Sequence, residues 1–296
     1  MIDRILVPVD GSDPARAALD HALEIADDLG ATVVLLYVAD TNEPSQVRLG
    51  VEVVDVLEEE GAEELSRARD RADERAPDVP IVDDVVQGEP ASAIVDYAGS
   101  NAIDLVAMGT HGRRGIEGYV LGSVAERVVN ASPMPVLTVR SGDDATANYP
   151  YRSVLVPTDG SDHARAALDL GTAFATRHGA SVHLLTVVDD AVLGLVGVDG
   201  AESDDEGVPD RLESAAGDVL EDAEAAARAA GVDDVVTAVR SGSVPAEIRS
   251  YAAEHGVDLI AMGTHGRTGI DQRLLGSFTE RVLRTAPMPV VTTRWR

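Results

Sequence analysis

The sequence predicts two tandem α/β domains, each a parallel β-sheet with helices on both faces. Three observations carry that reading. First, the chain repeats itself: Arg4–Asp40 (RILVPVDGSDPARAALDHALEIADDLGATVVLLYVAD) returns as Ser153–Asp189 (SVLVPTDGSDHARAALDLGTAFATRHGASVHLLTVVD) at an offset of 149, and Asp104–Pro135 returns as Asp258–Pro289 at an offset of 154. Second, short β-branched runs alternate with helix-like segments in each copy, an order that implies parallel pairing through right-handed crossovers. Third, 296 residues with 45% hydrophobic content suit two folded domains. The expected boundaries are 1–142 for the first domain, 143–150 for a linker within the polar stretch Ser141–Pro150, and 151–296 for the second.

In the first copy Ile5–Val9 is an apolar run of the kind buried on both faces of a sheet. Asp13 and Pro14 suit an N-cap and first helical position, opening a helix to about Leu29 that Gly30 closes. Thr32–Val38 is a second strand. After a variable connection, Glu58–Ala76 is rich in Glu, Arg and Ala and predicts an exposed helix. Ile81–Val86 is a third strand, Pro90–Ala98 a helix and Leu105–Met108 a fourth strand. Ser123–Ala131 is a helix and Val136–Val139 a fifth strand. The second copy follows the same order, with a middle connection longer by five residues.

Composition excludes several chemistries. All 24 basic residues are arginine, so no P-loop lysine and no Schiff-base lysine exists. There are no cysteines, hence no disulfides, zinc–thiolate sites or thiol nucleophiles. A net charge of −28 and nine aromatic residues argue against nucleic acid as a partner, which needs basic contacts and stacking platforms. No apolar run approaches the ~20 residues of a membrane span, and Met1–Val7 enters a strand-like run without a signal peptide, so a cytoplasmic protein is expected. An acidic, lysine-free surface suits a cytoplasm of molar salt, where a Debye length of about 3 Å screens self-repulsion.

Ligands of such sheets sit beyond the C-terminal strand ends, where the strand order reverses. Two segments have the composition for that place. After strand one comes Asp10-Gly11-Ser12-Asp13, repeated as Asp159-Gly160-Ser161-Asp162. A carboxylate there can accept hydrogen bonds from ribose hydroxyls, or serve as a turn-forming Asx residue. After strand four comes Gly109-Thr110-His111-Gly112, nine residues, then Gly122-Ser123; its partner is Gly263-Thr264-His265-Gly266, nine residues, then Gly276-Ser277. Its glycines allow close backbone approach, and Gly122-Ser123 opens a helix whose N–H groups and dipole favour phosphate. Arg113 supplies positive charge. A glycine-rich turn with a capping serine is the plainer reading. Local charge favours the anion: residues 101–140 hold four arginines against three acids, and 251–296 hold six against four. His111 and His265 read as hydrogen-bonding loop residues rather than bases or metal ligands. Ser12 and Ser161 lack a nucleophile elbow and are expected to bond at helix starts.

These motifs resemble the universal stress protein family: a strand ending in Asp (ILVPVDGS, VLVPTDGS) and, late in the domain, G-x2-G-x9-G-(S/T). The resemblance spans nearly the whole chain outside the variable middle and the linker. It implies a Rossmann-like fold of five parallel strands ordered 3-2-1-4-5, and the subgroup that binds ATP. By that resemblance Pro8, Val9, Asp10 and Val38 line the adenosine, Met108 and Gly109 contact ribose and base, and Gly112, Arg113, Gly122, Ser123 and Val124 contact the phosphates. The matching second-half positions are Pro157, Thr158, Asp159, Val187, Met262, Gly263, Gly266, Arg267, Gly276, Ser277 and Phe278. Thr158 for Val9 and Phe278 for Val124 are the departures. Family members of one domain dimerise through the last strand, which implies a pseudo-dimer formed by Val136–Val139 and Val290–Thr293 in one chain.

The expected function is therefore that of an ATP- or other adenine-nucleotide-binding stress-response or regulatory protein, with or without Mg, one site per domain, no resident metal and no membrane partner. A slow ATPase or nucleotidyl-transfer enzyme is the competing class. One arginine directly after each G-x-x-G (Arg113, Arg267) and no dedicated carboxylate pair argue against fast catalysis. A protein-interaction module with vestigial sites is the third class. A dehydrogenase is disfavoured, because DGSD rather than G-x-G-x-x-G follows strand one.

Overall fold

The structure, a computed structural model, describes residues 2–40, 51–111, 121–189, 207–266 and 275–295, with side chains of the two middle helices from 60 and 214 onward. The chain divides into two units, Met1–Pro150 and Tyr151–Arg296.

In unit 1 the strands are β1 (Arg4–Pro8), β2 (Thr32–Asp40), β3 (Ile81–Gly88), β4 (Leu105–Gly109) and β5 (Val136–Val139), with helices α1 (Asp13–Leu29), α2 (Val51–Arg75), α3 (Pro90–Ser100) and α4 (Ser123–Ala131). Their order in the sheet is β3-β2-β1-β4-β5, as expected, and the pairs are parallel. Unit 2 repeats it with β6 (Ser153–Pro157), β7 (Ser181–Asp189), β8 (Val235–Gly242), β9 (Leu259–Gly263) and β10 (Val290–Thr293), ordered β8-β7-β6-β9-β10. Its helices are α5 (Asp162–His178), α6 (Gly207–Ala229), α7 (Val244–Glu254) and α8 (Ser277–Thr285).

The central strands are buried because both faces are covered: Ile5, Leu6 and Val7 of β1 are fully buried, as are Leu105, Val106 and Ala107 of β4. α1 covers the sheet with Ala18, Leu19, Ala22, Leu23, Ile25 and Ala26, spaced to form one face. It ends at Gly30, whose φ of +67° is the left-handed closing position, with its N–H donating to the Ala26 carbonyl.

The structure moves several expected boundaries. The N-cap of α1 is Ser12, one residue before Asp13, because the Ser12 hydroxyl accepts the Ala15 N–H (3.3 Å). β2 runs two residues past Val38, since Ala39 and Asp40 pair with Gln87 and Gly88 of an equally extended β3. α2 begins at Val51 rather than Glu58. The valines of that stretch lower helix propensity by only a few tenths of a kcal/mol each, which leaves the longer helix open to it. Nor is α2 wholly exposed: Leu65, Ala68 and Ala72 form a buried stripe.

Candidate functional site

At the C-terminal end of β1 the chain turns sharply into α1. Gly11 has a φ of +76°, and the Asp10 Oδ1 accepts the Ser12 N–H at 3.0 Å. Unit 2 repeats the turn, with Gly160 at +76° and the Asp159 Oδ1 accepting the Ser161 N–H at 3.0 Å. Both aspartates thus form Asx turns with one oxygen. Ser161 caps α5 by accepting the Ala164 N–H at 3.2 Å, as Ser12 caps α1. The change from Val9 to Thr158 has a local reason: the Thr158 hydroxyl accepts the Gly160 N–H at 3.2 Å and steadies the turn. Pro8 and Pro157 end β1 and β6, and half-buried Val38 and Val187 stand near the ends of the neighbouring strands.

The loop after β4 meets this turn from the other side. Met108 and Met262 are buried beneath it. A Cβ on Gly109 would lie 2.6 Å from the Pro14 carbonyl carbon, and one on Gly263 would lie 2.8 Å from the His163 Cβ. These glycines therefore let the end of β4 or β9 press against the first turn of α1 or α5. The Gly122 N–H donates to the Thr110 carbonyl (2.7 Å), and the Gly276 N–H to the Thr264 carbonyl (2.9 Å), which pins the starts of α4 and α8 beside the strand ends. Neither helix start carries a side-chain cap, in contrast to α1 and α5. Ser123 and Ser277 are exposed at their first positions, Val124 is half-buried and Phe278 is 40% exposed. In unit 2 a Cβ on Gly266 would lie 2.9 Å from the Asp159 Oδ2, so the glycine loop and the strand-one carboxylate are adjacent. Gly112, Arg113 and Arg267 lie outside the described residues.

Imidazoles line the same edge. His111 Nδ1 and Thr110 Oγ1 are 3.0 Å apart, and His265 and Thr264 repeat the pair at 3.0 Å. Burial holds His111 below the usual histidine range, and Arg140 adds to this. Sequence reasoning passed over His163, which stands where unit 1 has Pro14. Its ring lies 5.4 Å from that of His265, and its Nδ1 accepts the Trp295 N–H at 3.1 Å. Burial lowers its pKa most, followed by His265 and Arg294, against Asp159 and Asp162. Glu64 was also passed over. From α2 its carboxylate covers Gly11, where a Cβ would lie 2.7 Å from Oε2. It borders a cavity of about 300 Å³ with Arg16, Arg67 and Arg71 at the rim and Val9, Ala15, Leu19 and Ala68 below. A larger cavity of about 380 Å³ lies between α6 and β8, and no residue of the site lines it. Among the described residues no cluster of three His, Asp or Glu could hold a metal ion, and no helix is long and apolar enough to cross a membrane.

The strand ends, glycine turns and helix starts thus meet where β1 lies between β2 and β4, the reversal point of the sheet. The model of the universal stress protein family matches residues 1–140 and again 150–294. The chain belongs to the universal stress protein family. It is a tandem member, with one domain of the family in each half. Universal stress protein MJ0531 of Methanocaldococcus jannaschii is 39% identical over 142 residues, which is 46% of this chain and 81% of the relative. Universal stress protein Mb2028c of Mycobacterium bovis is 29% identical over 223 residues, 72% of this chain and 69% of the relative. A universal stress protein of known crystal structure from Archaeoglobus fulgidus shares the fold at a TM-score of 0.75 and 24% identity, covering 99% of this chain and 98% of its own.

Proposed function

We propose that this universal stress protein binds adenine nucleotide, ATP foremost, in each unit and acts as a cytoplasmic stress-response regulator rather than a catalyst. The observation that carries the reading is the adjacency of the Asp159 carboxylate and Gly266. One group suits ribose hydroxyls and the other suits backbone contact with phosphate, so a nucleoside phosphate bridges them. The uncapped starts of α4 and α8 support it, since a phosphate takes the place of the missing cap. The lysine-free chain is no obstacle, because backbone N–H groups supply the donors. In unit 1 the Glu64 carboxylate over Gly11 has to swing aside or accept a ligand hydroxyl or amino hydrogen.

What surrounds these loops supports regulation rather than turnover. Asp10 and Asp159 each give one carboxylate oxygen to their own turn and, in this reading, the other to the ribose, which leaves neither aimed at an attacking water as a general base. Mg would be held by the nucleotide's own phosphates with few protein ligands.

Displacement of labelled ATP by AMP, adenosine and GTP in molar KCl tests the reading. The expected order has ATP and AMP ahead of adenosine, with GTP weaker. Absence of ATP binding refutes it, and sustained release of ADP over many turnovers per minute would replace it with the enzyme.

A further inference from the structure

Besides Thr158 for Val9 and Phe278 for Val124, the two units differ at a further point of the site. Unit 1 has Pro14 in the first turn of α1, and unit 2 has His163 there. His163 is packed against Gly263, the last residue of β9, and its ring lies 5.4 Å from that of His265, at a tilt of 46°. It therefore stands between the strand-one turn that carries Asp159 and the glycine loop that runs from Gly263 to Gly266.

The tautomer of His163 follows from its bond. The backbone N–H of Trp295 donates to Nδ1 at 3.1 Å, so Nδ1 keeps its lone pair and the ring proton is on Nε2. That arrangement disfavours a metal at Nε2 and presents an N–H donor, a group suited to an anion. A second proton on His163 has to enter at Nδ1, where it displaces the Trp295 N–H. Burial, the neighbouring His265 and Arg294 resist that proton, while Asp159 and Asp162 favour it. An arriving phosphate adds negative charge to the favouring side.

We propose that His163 makes unit 2 a proton-linked phosphate site: His163, paired with His265, gains a proton as the ligand's phosphate binds, so affinity rises as pH falls. Unit 1, with Pro14 at that place, lacks the pair. The inference rests on the nucleotide reading above and adds to it a pH-dependent difference between the two sites. The sign follows from linkage. A bound anion raises the pKa of His163, so binding tightens as pH drops through its bound-state pKa and levels off below the free-state one.

Trp295 is the single tryptophan of the chain and belongs to unit 2, so its emission reports this site in the intact protein. ATP is titrated at pH about 7.5 and about 5.5, near the window in which histidine changes charge, with the parent protein, His163→Asn and His163→Pro. Asparagine keeps an acceptor for the Trp295 N–H but cannot be protonated. Proline copies unit 1. The ATP phosphate itself titrates, so the comparison is the ratio of affinities at the two pH values in parent and variants. The parent ratio should exceed that of either folded variant by roughly fivefold or more, and calorimetry in two buffers of different protonation heat should show proton uptake lost with His163. Equal ratios in parent and variants overturn the proton link while leaving the nucleotide reading intact. No ATP binding by the parent at either pH, by calorimetry as well as emission, defeats the nucleotide reading itself.

Discussion

Gly109 and Pro14 meet so closely that a Cβ on the glycine would lie 2.6 Å from both the Pro14 carbonyl carbon and its Cβ. The end of β4 thus rests on the first turn of α1, and the two site segments are held together by packing before any ligand arrives. Gly109→Ala should lower stability by about 1–3 kcal/mol through overpacking against backbone. Gly99→Ala, where the added Cβ meets nothing within 4 Å, should be neutral or stabilising in its helix. Thermal melts of the two variants check the contrast.

Asp104 ties the other end of the same strands. Its Oδ2 accepts the N–H groups of Asp3 (2.8 Å) and Arg4 (3.0 Å), and Asp258 does the same for Arg152 (2.9 Å) and Ser153 (3.2 Å). Asp104→Ala should cost about 1–3 kcal/mol, since charge-assisted bonds are lost and backbone donors are left behind. Asp104→Asn should recover part of that, because its carbonyl oxygen still accepts. Urea unfolding measures both.

Glu89 makes one contribution to stability depend on acid. Burial favours its neutral form, but the Ser92 N–H and hydroxyl, the Ala91 N–H and Arg127 outweigh that and hold the carboxyl below its ordinary range. A carboxyl depressed by folding stabilises the protein above its unfolded-state pKa and loses that effect as pH falls through the folded one. The stability advantage of the parent over Glu89→Gln should therefore be full at neutral pH and shrink below about pH 4. Unfolding curves across that range decide it.

The acidic surface predicts a salt requirement. With a net charge of −28 and no lysine, the folded state should gain stability from millimolar to molar KCl as repulsion is screened. Circular dichroism during dialysis reads this directly. Full native signal in millimolar salt contradicts it.

Much of this architecture was legible in the sequence, because its local signals agree with its packing. Ser123–Ala131 and Val136–Val139 have the same bounds in sequence and structure, where a Gly-Ser start and a β-branched run stand between clear breaks. The start of α2 was hidden by Val51, Val53, Val54 and Val56, which resemble a strand by residue type although they are helical. The ends of β2 and β3 depend on each other through their ladder, and neither sequence alone reveals it. At the site the repeated motif carried Asp10, Gly109, Gly122 and their partners. Glu64 lay outside the repeat, in the variable middle. His163 lay inside it, but a search for what the copies share passes over the position where they differ.

Two sites per chain, each closed by the start of α4 or α8, is the central claim. Native mass spectrometry of the intact chain with ATP in excess measures it most directly, after rapid exchange into a volatile salt. Two bound nucleotides are predicted for the parent and one for Ser277→Asp, whose carboxylate suits an exposed helix start but repels phosphate. A parent that binds none, or a Ser277→Asp chain that still binds two with parent affinity, contradicts it.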